Sequence, residues 1–328
     1  NNMIRQWMAS LALVRLAQQR GNESMHEPAR WNIRYNLAQF YHEEDGLGLI
    51  EHDGKVKLGA VALAALAILE LPGNTEFASE LQRLVATTDQ LWQADGSFQT
   101  FYRPAARSAE PSLHNFYPGE TLLLWASLLQ RGHDEAREAR FLSSMAYYRD
   151  WHLAQRKPSF IPWHTQAYYL EWQRTNNPEL RDWIFEMNDW LLAMQDHEEV
   201  AYPDTAGRFY DSRPGNAHFG PPHASSTGVY LEGLIDALIL ARAEGDTVRA
   251  GAYRKAILRG LRSALQLQFE PGPGSWYVEH PERTFGGLRT TVYNNVIRVD
   301  NVQHTLMAVL KILDTFSEED FAAFQPST

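Results

Sequence analysis

Residues 225–243 read Ser-Ser-Thr-Gly-Val-Tyr-Leu-Glu-Gly-Leu-Ile-Asp-Ala-Leu-Ile-Leu-Ala-Arg-Ala. Leu231, Leu234, Ile235, Ala237, Leu238 and Leu240 nearly encircle an α-helix and leave little polar face. A helix that is apolar on most sides is buried on most sides. The preceding segment, Asn177 to Gln195, has another pattern. Its Trp183, Met187, Trp190, Leu191 and Met194 recur at helical spacing, as in a helix with one buried face. A half-exposed helix followed by a buried one is the unit that sets the fold.

The pairing recurs along the chain. Asn32 to Tyr41 precedes the loop Asp45 to Gly54 and an apolar run from Leu58. Thr75 to Trp92 precedes Asp95-Gly-Ser-Phe-Gln-Thr-Phe-Tyr102, then Gly119 to Gln130. Asp134 to Gln155 precedes Pro158 to Pro162, then His164 to Arg174. Thr247 to Phe269 precedes a long loop, then Asn301 to Phe316. A period of about 45 to 65 residues is what helical hairpins with their loops give. Pro and Gly gather in the loops. Met3 to Gln19 is expected to pair with the C-terminal segment and close a sixth hairpin. Short strands are expected at Gly46 to Lys57 and Asp95 to Tyr102. No linker or low-complexity stretch interrupts the pattern, so residues 1–328 are expected to form a single all-α domain, outer helices around inner ones.

Composition narrows the function. With 44% hydrophobic residues in 328, the chain is globular and can bury a sizeable core. A formal charge of -10 argues against nucleic acid as a partner, which needs a basic footprint. The absence of cysteine excludes disulfides, thiolate zinc sites and cysteine nucleophiles. Neither a cofactor nor a metal is expected, although zinc held by Asp and His stays open. The run Leu58 to Leu71 is too short to span a bilayer, and no transmembrane segment is expected. The sequence starts at Asn1, so the compartment stays open: cytoplasmic, or periplasmic or secreted with a signal or anchor removed.

Paired helices joined by Asp-Gly-Ser-Phe-like loops resemble the α/α toroid superfamily over nearly the whole chain. That superfamily includes six-hairpin glycosidases, polysaccharide lyases, N-acylglucosamine 2-epimerases, glucuronyl C5-epimerases and the squalene-cyclase and prenyltransferase toroids. The resemblance implies an α/α toroid of about five to six hairpins and a poly- or oligosaccharide substrate. Ile297-Arg-Val-Asp-Asn-Val-Gln-His304, followed by an apolar helix, is similar to the Arg-x-Asp-x-x-x-His segment closing glucuronyl C5-epimerases.

In such a ring the loops before the inner helices wall a cleft, so polar residues at inner-helix starts are the candidates. Asp300 and His304 are four apart and share a helix face. A carboxylate beside an imidazole raises its basicity and fixes its tautomer. Arg298 is suited to hold a substrate carboxylate bidentately. The structural alternative is Asp300 as a helix cap with His304 packed beneath it. Glu120, after Tyr117-Pro-Gly, is either an ordinary acidic first-turn residue or a buried general acid. Trp163, His164 and Gln166 offer an aromatic face, an imidazole the helix dipole would hold neutral, and an amide. The loop from Tyr202 holds Asp204, Tyr210, Asp211, His218 and His223, and long loops in compact domains are often functional. The loop from Gly272 holds Trp276, Arg283 and Arg289, and its aromatics suit sugar C–H faces. Glu120, His164, His223, Asp300 and His304 are expected to face one cavity.

Two chemistries fit. Epimerases and lyases remove the C5 proton of a uronate, with His304 or Tyr210 as base and Arg298 on the carboxylate. Hydrolases need two carboxyls flanking the bond, and Glu120 with Asp211 or Asp204 would serve. A non-catalytic glycan- or protein-binding toroid is the other class. An isoprenoid cyclase is disfavoured, because the Asp-rich motif and the zinc cysteine are missing.

Overall fold

The computed structural model describes residues 2–21, 23–197, 200, 202–210, 223–272 and 275–322. Among them are twelve α-helices and six short strands. They fall into two compact units, Asn1–Trp183 and Ile184–Thr328.

In the first unit, α1 (Met3–Arg20), α3 (Leu58–Glu70), α5 (Tyr117–Leu129) and α7 (Ile161–Thr175) pack side by side. α2 (His26–Phe40), α4 (Ala78–Leu91) and α6 (Glu135–Ala154) lie against α1, α3 and α5 respectively. The alternation read from the sequence is the one observed. Every residue of α3 except Glu70 is buried, whereas α2 buries only Ala29, Ile33, Asn36 and Leu37. α3 ends at Leu71-Pro72-Gly73, where Pro cannot continue the ladder and Gly73 takes a left-handed φ of 63°. Arg15 forks onto Glu70 at 2.7 and 2.8 Å, tying α1 to the end of α3.

Between α2 and α3 the chain makes an antiparallel meander, β1 (Tyr41–Glu44), β2 (Leu47–His52) and β3 (Lys55–Lys57), to which β4 (Phe101–Arg103) adds as the fourth strand. Both meander turns are Asp-Gly pairs, Asp45-Gly46 and Asp53-Gly54, with all four φ between 50° and 81°. Two residues at positive φ make the hairpin turn whose twist matches the strands. β3 runs directly into α3, and the Leu58 N–H donates to Thr100 O at 3.1 Å. The register thus fixes where Lys57 and Gly59 enter the first unit.

The division between units falls within α8 (Pro178–Leu192). In the second unit, α9 (Ala224–Ala243) packs against both α10 (Thr247–Leu265) and α11 (Val299–Thr315), and α12 (Glu318–Ala322) follows. Length and composition alone would let α9 cross a bilayer, but 78% of its apolar window is buried inside the protein. It is a core helix, as its all-round apolar pattern predicts. The loop before α11 carries a hairpin not anticipated from sequence, β5 (Arg289–Thr291) and β6 (Asn294–Ile297).

Candidate active site

Two polar clusters emerge, one in each unit. In the first, Glu120 is the fourth residue of α5, not its first, because the helix begins at Tyr117. Its side chain is 1% exposed. Glycine makes the room: a Cβ on Gly59 would land on Glu120 Oε2. That oxygen has no hydrogen-bond partner among the described residues. Burial pushes the Glu120 carboxyl up to about 8, opposed only by the positive charge of Lys57. Burial, then the charges of Lys55 and Arg107, lower the Lys57 ammonium in turn. Glu120 is therefore a neutral acid near pH 7. Tyr117, 7% exposed, packs beside it, and burial raises its phenol too.

His164 repeats the device one helix on. Gly119 lets α7 approach, since a Cβ there would sit 2.7 Å from Trp163 Cβ and 2.8 Å from His164 Nδ1. His164 Nδ1 donates to Phe160 O at 2.9 Å, and the ring stacks on Phe160 with centroids 3.6 Å apart. Burial lowers the imidazole to about 3. The neutrality expected from a helix dipole comes from burial instead. A base this weak suits a packed core better than proton transfer. Trp163 and Gln166 are 3% and 2% exposed, so Trp163 offers no open face for stacking. Gln166 Nε2 donates back to Pro162 O within α7.

The second unit holds the tighter arrangement. Ser225, Gly228, Glu232 and Asp236 form one stripe of α9. Asp300, His304 and Lys311 form one stripe of α11. The stripes meet rung by rung. Ser225 Oγ donates to Asp300 Oδ2 at 3.4 Å. Gly228 admits the α11 backbone, for a Cβ there would come 2.7 Å from Thr305 N. His304 Nδ1 lies 2.6 Å from Glu232 Oε1. Lys311 Nζ donates to Asp236 Oδ2 at 2.7 Å and to the Glu232 carbonyl at 3.1 Å. His304 and Glu232 are 5% and 0% exposed.

Asp300 does not cap α11. The cap position is Arg298, and Asp300 lies inside the first turn. Its carboxylate takes a two-pronged bond from Arg298, from Nε at 2.9 Å and from NH2 to the other oxygen. The Arg298 fork is thus engaged within the chain. The carboxylate set on the His304 imidazole is Glu232, which sequence reasoning missed. One signal pointed to it: a carboxylate in the middle of an otherwise apolar helix needs a buried partner. His223 is the cap of α9, its Nδ1 accepting from Ser226 N at 3.3 Å. Burial first, then the Arg298 charge, lowers this imidazole.

The remaining candidates that are described have contacts of their own. Tyr210 donates its N–H to Met194 O at 2.7 Å, with the Arg208 guanidinium 4.9 Å from its ring centroid. Asp204 is exposed on the short turn Pro203–Thr205. Asp211 and His218 lie outside the described residues. Trp276 is 84% exposed, and Arg289 lies over Phe269 at 5.2 Å. No three His, Asp or Glu side chains among the described residues gather as a metal ligand set.

A neutral imidazole that donates one N–H to a carboxylate oxygen has its lone pair on the other nitrogen. With Glu232 accepting from Nδ1–H, Nε2 is the basic nitrogen, and the carboxylate stabilises the imidazolium formed when it takes a proton.

No protein-family model and no curated protein matches the chain. Solved structures do. A D-mannose isomerase matches with a TM-score of 0.68 and 12% identity, over 96% of this chain and 87% of that one. The GH76A α-1,6-mannanase of Salegentibacter sp. HEL1_6 matches with 0.66 and 10%, over 96% and 90%. A sugar epimerase from a ruminal bacterium matches with 0.64 and 11%, over 94% and 87%. At such identities the likeness speaks for architecture, and the fold of this chain is the all-α toroid of these proteins.

Proposed function

We propose that this protein is a carbohydrate-active enzyme that moves a proton at a sugar carbon, with His304 as the base and Glu232 as its positioning partner. The observation carrying the reading is the 2.6 Å contact of His304 Nδ1 with a carboxylate buried in the core. A proton on carbon next to a carbonyl or carboxylate is removed by a base whose tautomer is fixed and whose cationic form is stabilised. A sugar epimerase and a D-mannose isomerase stand among the proteins sharing the fold, and changing a stereocentre beside a carbonyl calls for such a base. Within this class, C5 epimerisation or elimination on a uronate is the finer reading suggested by the segment 297–304.

A second reading has one observation behind it. Glu120, protonated up to about pH 8, is the state a glycosidase needs in its general acid. Incubation in deuterium oxide with a panel of reducing sugars and of neutral and uronate oligosaccharides separates the two. Deuterium at a sugar carbon of an intact chain, or a new unsaturated end absorbing near the ultraviolet edge, supports proton transfer. New reducing ends with neither carbon-bound deuterium nor an unsaturated end would establish hydrolysis instead.

A further inference from the structure

The stretch from Ser275 to Arg298, entirely in the second unit, is built against the usual rule for apolar side chains. Trp276 and Tyr293 are each 84% exposed, and Val296 is 57% exposed. Tyr277 and Phe285 are also exposed, and so is every residue of β6. Scattered exposed apolar residues are ordinary, whereas a concentration of them marks a binding surface.

The stretch is anchored, not loose. Phe269 N donates to Gly287 O at 2.8 Å and Gly286 N to Phe269 O at 2.9 Å. Thr290 Oγ1 donates to Val296 O at 2.8 Å, and Asn301 Nδ2 of α11 donates to Thr290 Oγ1 at 3.0 Å. Leu288 packs with Ala224 and Leu267 in a small core that Val292 and Val302 extend. The hairpin base is therefore fixed to the first turns of α9 and α11, and the aromatics stand outward from it.

Its charge is distinctive as well. Among the described residues neither Arg283 nor Arg289 has a carboxylate partner, in a chain whose formal charge is -10. Glu282 of the same stretch is set toward His280 at 3.8 Å. Arg289 donates to Tyr277 Oη at 3.3 Å, so a guanidinium and an exposed phenol are held together. Sugar rings present flat C–H faces to aromatics, and a planar guanidinium binds carboxylates.

We infer that the 275–298 hairpin segment grips a carboxylate-bearing oligosaccharide, stacking its rings on Trp276 and Tyr293 and holding a carboxylate on Arg289. The inference names the substrate class for the proposed His304 site, on which it rests for its catalytic meaning. It implies that an acidic oligomer, and not a free monosaccharide, is the preferred ligand.

The test is binding by calorimetry, without turnover, on the His304→Gln protein. Oligogalacturonate, alginate and heparosan fragments are compared with their carboxyl-reduced counterparts. At least one acidic fragment is expected to bind about tenfold more tightly than its reduced form. Trp276→Ala should weaken that acidic ligand about tenfold. Arg289→Gln should abolish the preference for acid and leave the reduced form unchanged. Equal binding of all acidic and reduced fragments overturns the inference, as does binding insensitive to both substitutions. A change of oligomeric state in Trp276→Ala without any change in glycan binding would reassign the segment to self-association. Because no catalysis is read, failure here leaves deuterium exchange by the wild type untouched, and absent exchange leaves this binding result standing.

Discussion

Each unit buries a glutamate on an inner helix, and the two are treated in opposite ways. Glu120 enters a space left by Gly59, where Oε2 has no hydrogen-bond partner among the described residues, and it stays protonated to about pH 8. Glu232 meets an imidazole across a helix pair brought close by Gly228. Burial alone favours the neutral acid, while a partner satisfies a buried carboxyl by hydrogen bonding. The first arrangement writes a pH signature into stability. The second builds a base whose tautomer is set.

The largest expected effect breaks the second arrangement. His304→Gln should lower turnover by about 10³- to 10⁴-fold in steady-state rates while the melting temperature stays near that of the wild type.

Next comes the pH signature. The folded pKa of Glu120 is raised, so its contribution is full below about pH 4.5 and is lost as pH rises to about 8. That of His164 is depressed, so its contribution is full above about pH 6.5 and is lost as pH falls to about 3. Where these windows overlap, the two slopes oppose each other and cancel. Thermal melts should show a plateau from about pH 4.5 to 6.5. Each limb, outside the plateau, is worth on the order of 2 kcal/mol. Glu120→Gln should remove the alkaline limb and His164→Gln the acid one. Limbs that survive these substitutions would mean that other groups set the profile.

Glu232→Gln keeps the shape of the side chain and removes its charge. A loss of about 10²-fold in turnover is expected, with a smaller fall in stability. Equal activity would show that the contact only ties α9 to α11.

The smallest effects sharpen the role of the glycines. Gly59→Ala and Gly228→Ala should each cost about 1 to 3 kcal/mol in denaturant unfolding. Only Gly228→Ala should also slow turnover, since it displaces the backbone that carries His304. Adding Glu120→Ala to Gly59→Ala should restore part of the lost stability, because the nearest atom in the way is Glu120 Oε2, while Tyr117 Cδ1 at 2.8 Å stays.

The fold was legible because its signal is local. The apolar run at Leu58–Leu69 and the ring of leucines after Tyr230 gave buried helices, and Asp-Gly pairs gave the turns of the meander. Helix starts shifted by a few residues, as at Tyr117 and Ile161, where Pro in the second position opens the helix earlier. The site was legible only in part. Spacing of four nominated Asp300 for His304, because spacing names neighbours on the same helix. The imidazole's carboxylate is 72 residues away in sequence, and Asp300 is bonded to Arg298. What selects Glu232 is the close approach of two helices at a glycine, which no single segment encodes. The β5–β6 hairpin went unread for a similar reason, since Tyr293, Val296 and Ile297 of Arg289–Ile297 are exposed and only Val292 among its apolar residues packs against the core.

The most direct test of the central claim follows deuterium from solvent into carbon of a recovered acidic oligosaccharide or reducing sugar. Wild type, His304→Gln and Glu120→Gln are compared at pH 7. Incorporation is expected in the wild type, lost in His304→Gln, and retained in Glu120→Gln, whose side chain is neutral at that pH in both proteins. Incorporation that persists without His304, or that vanishes with Glu120→Gln in a folded protein, would contradict the claim.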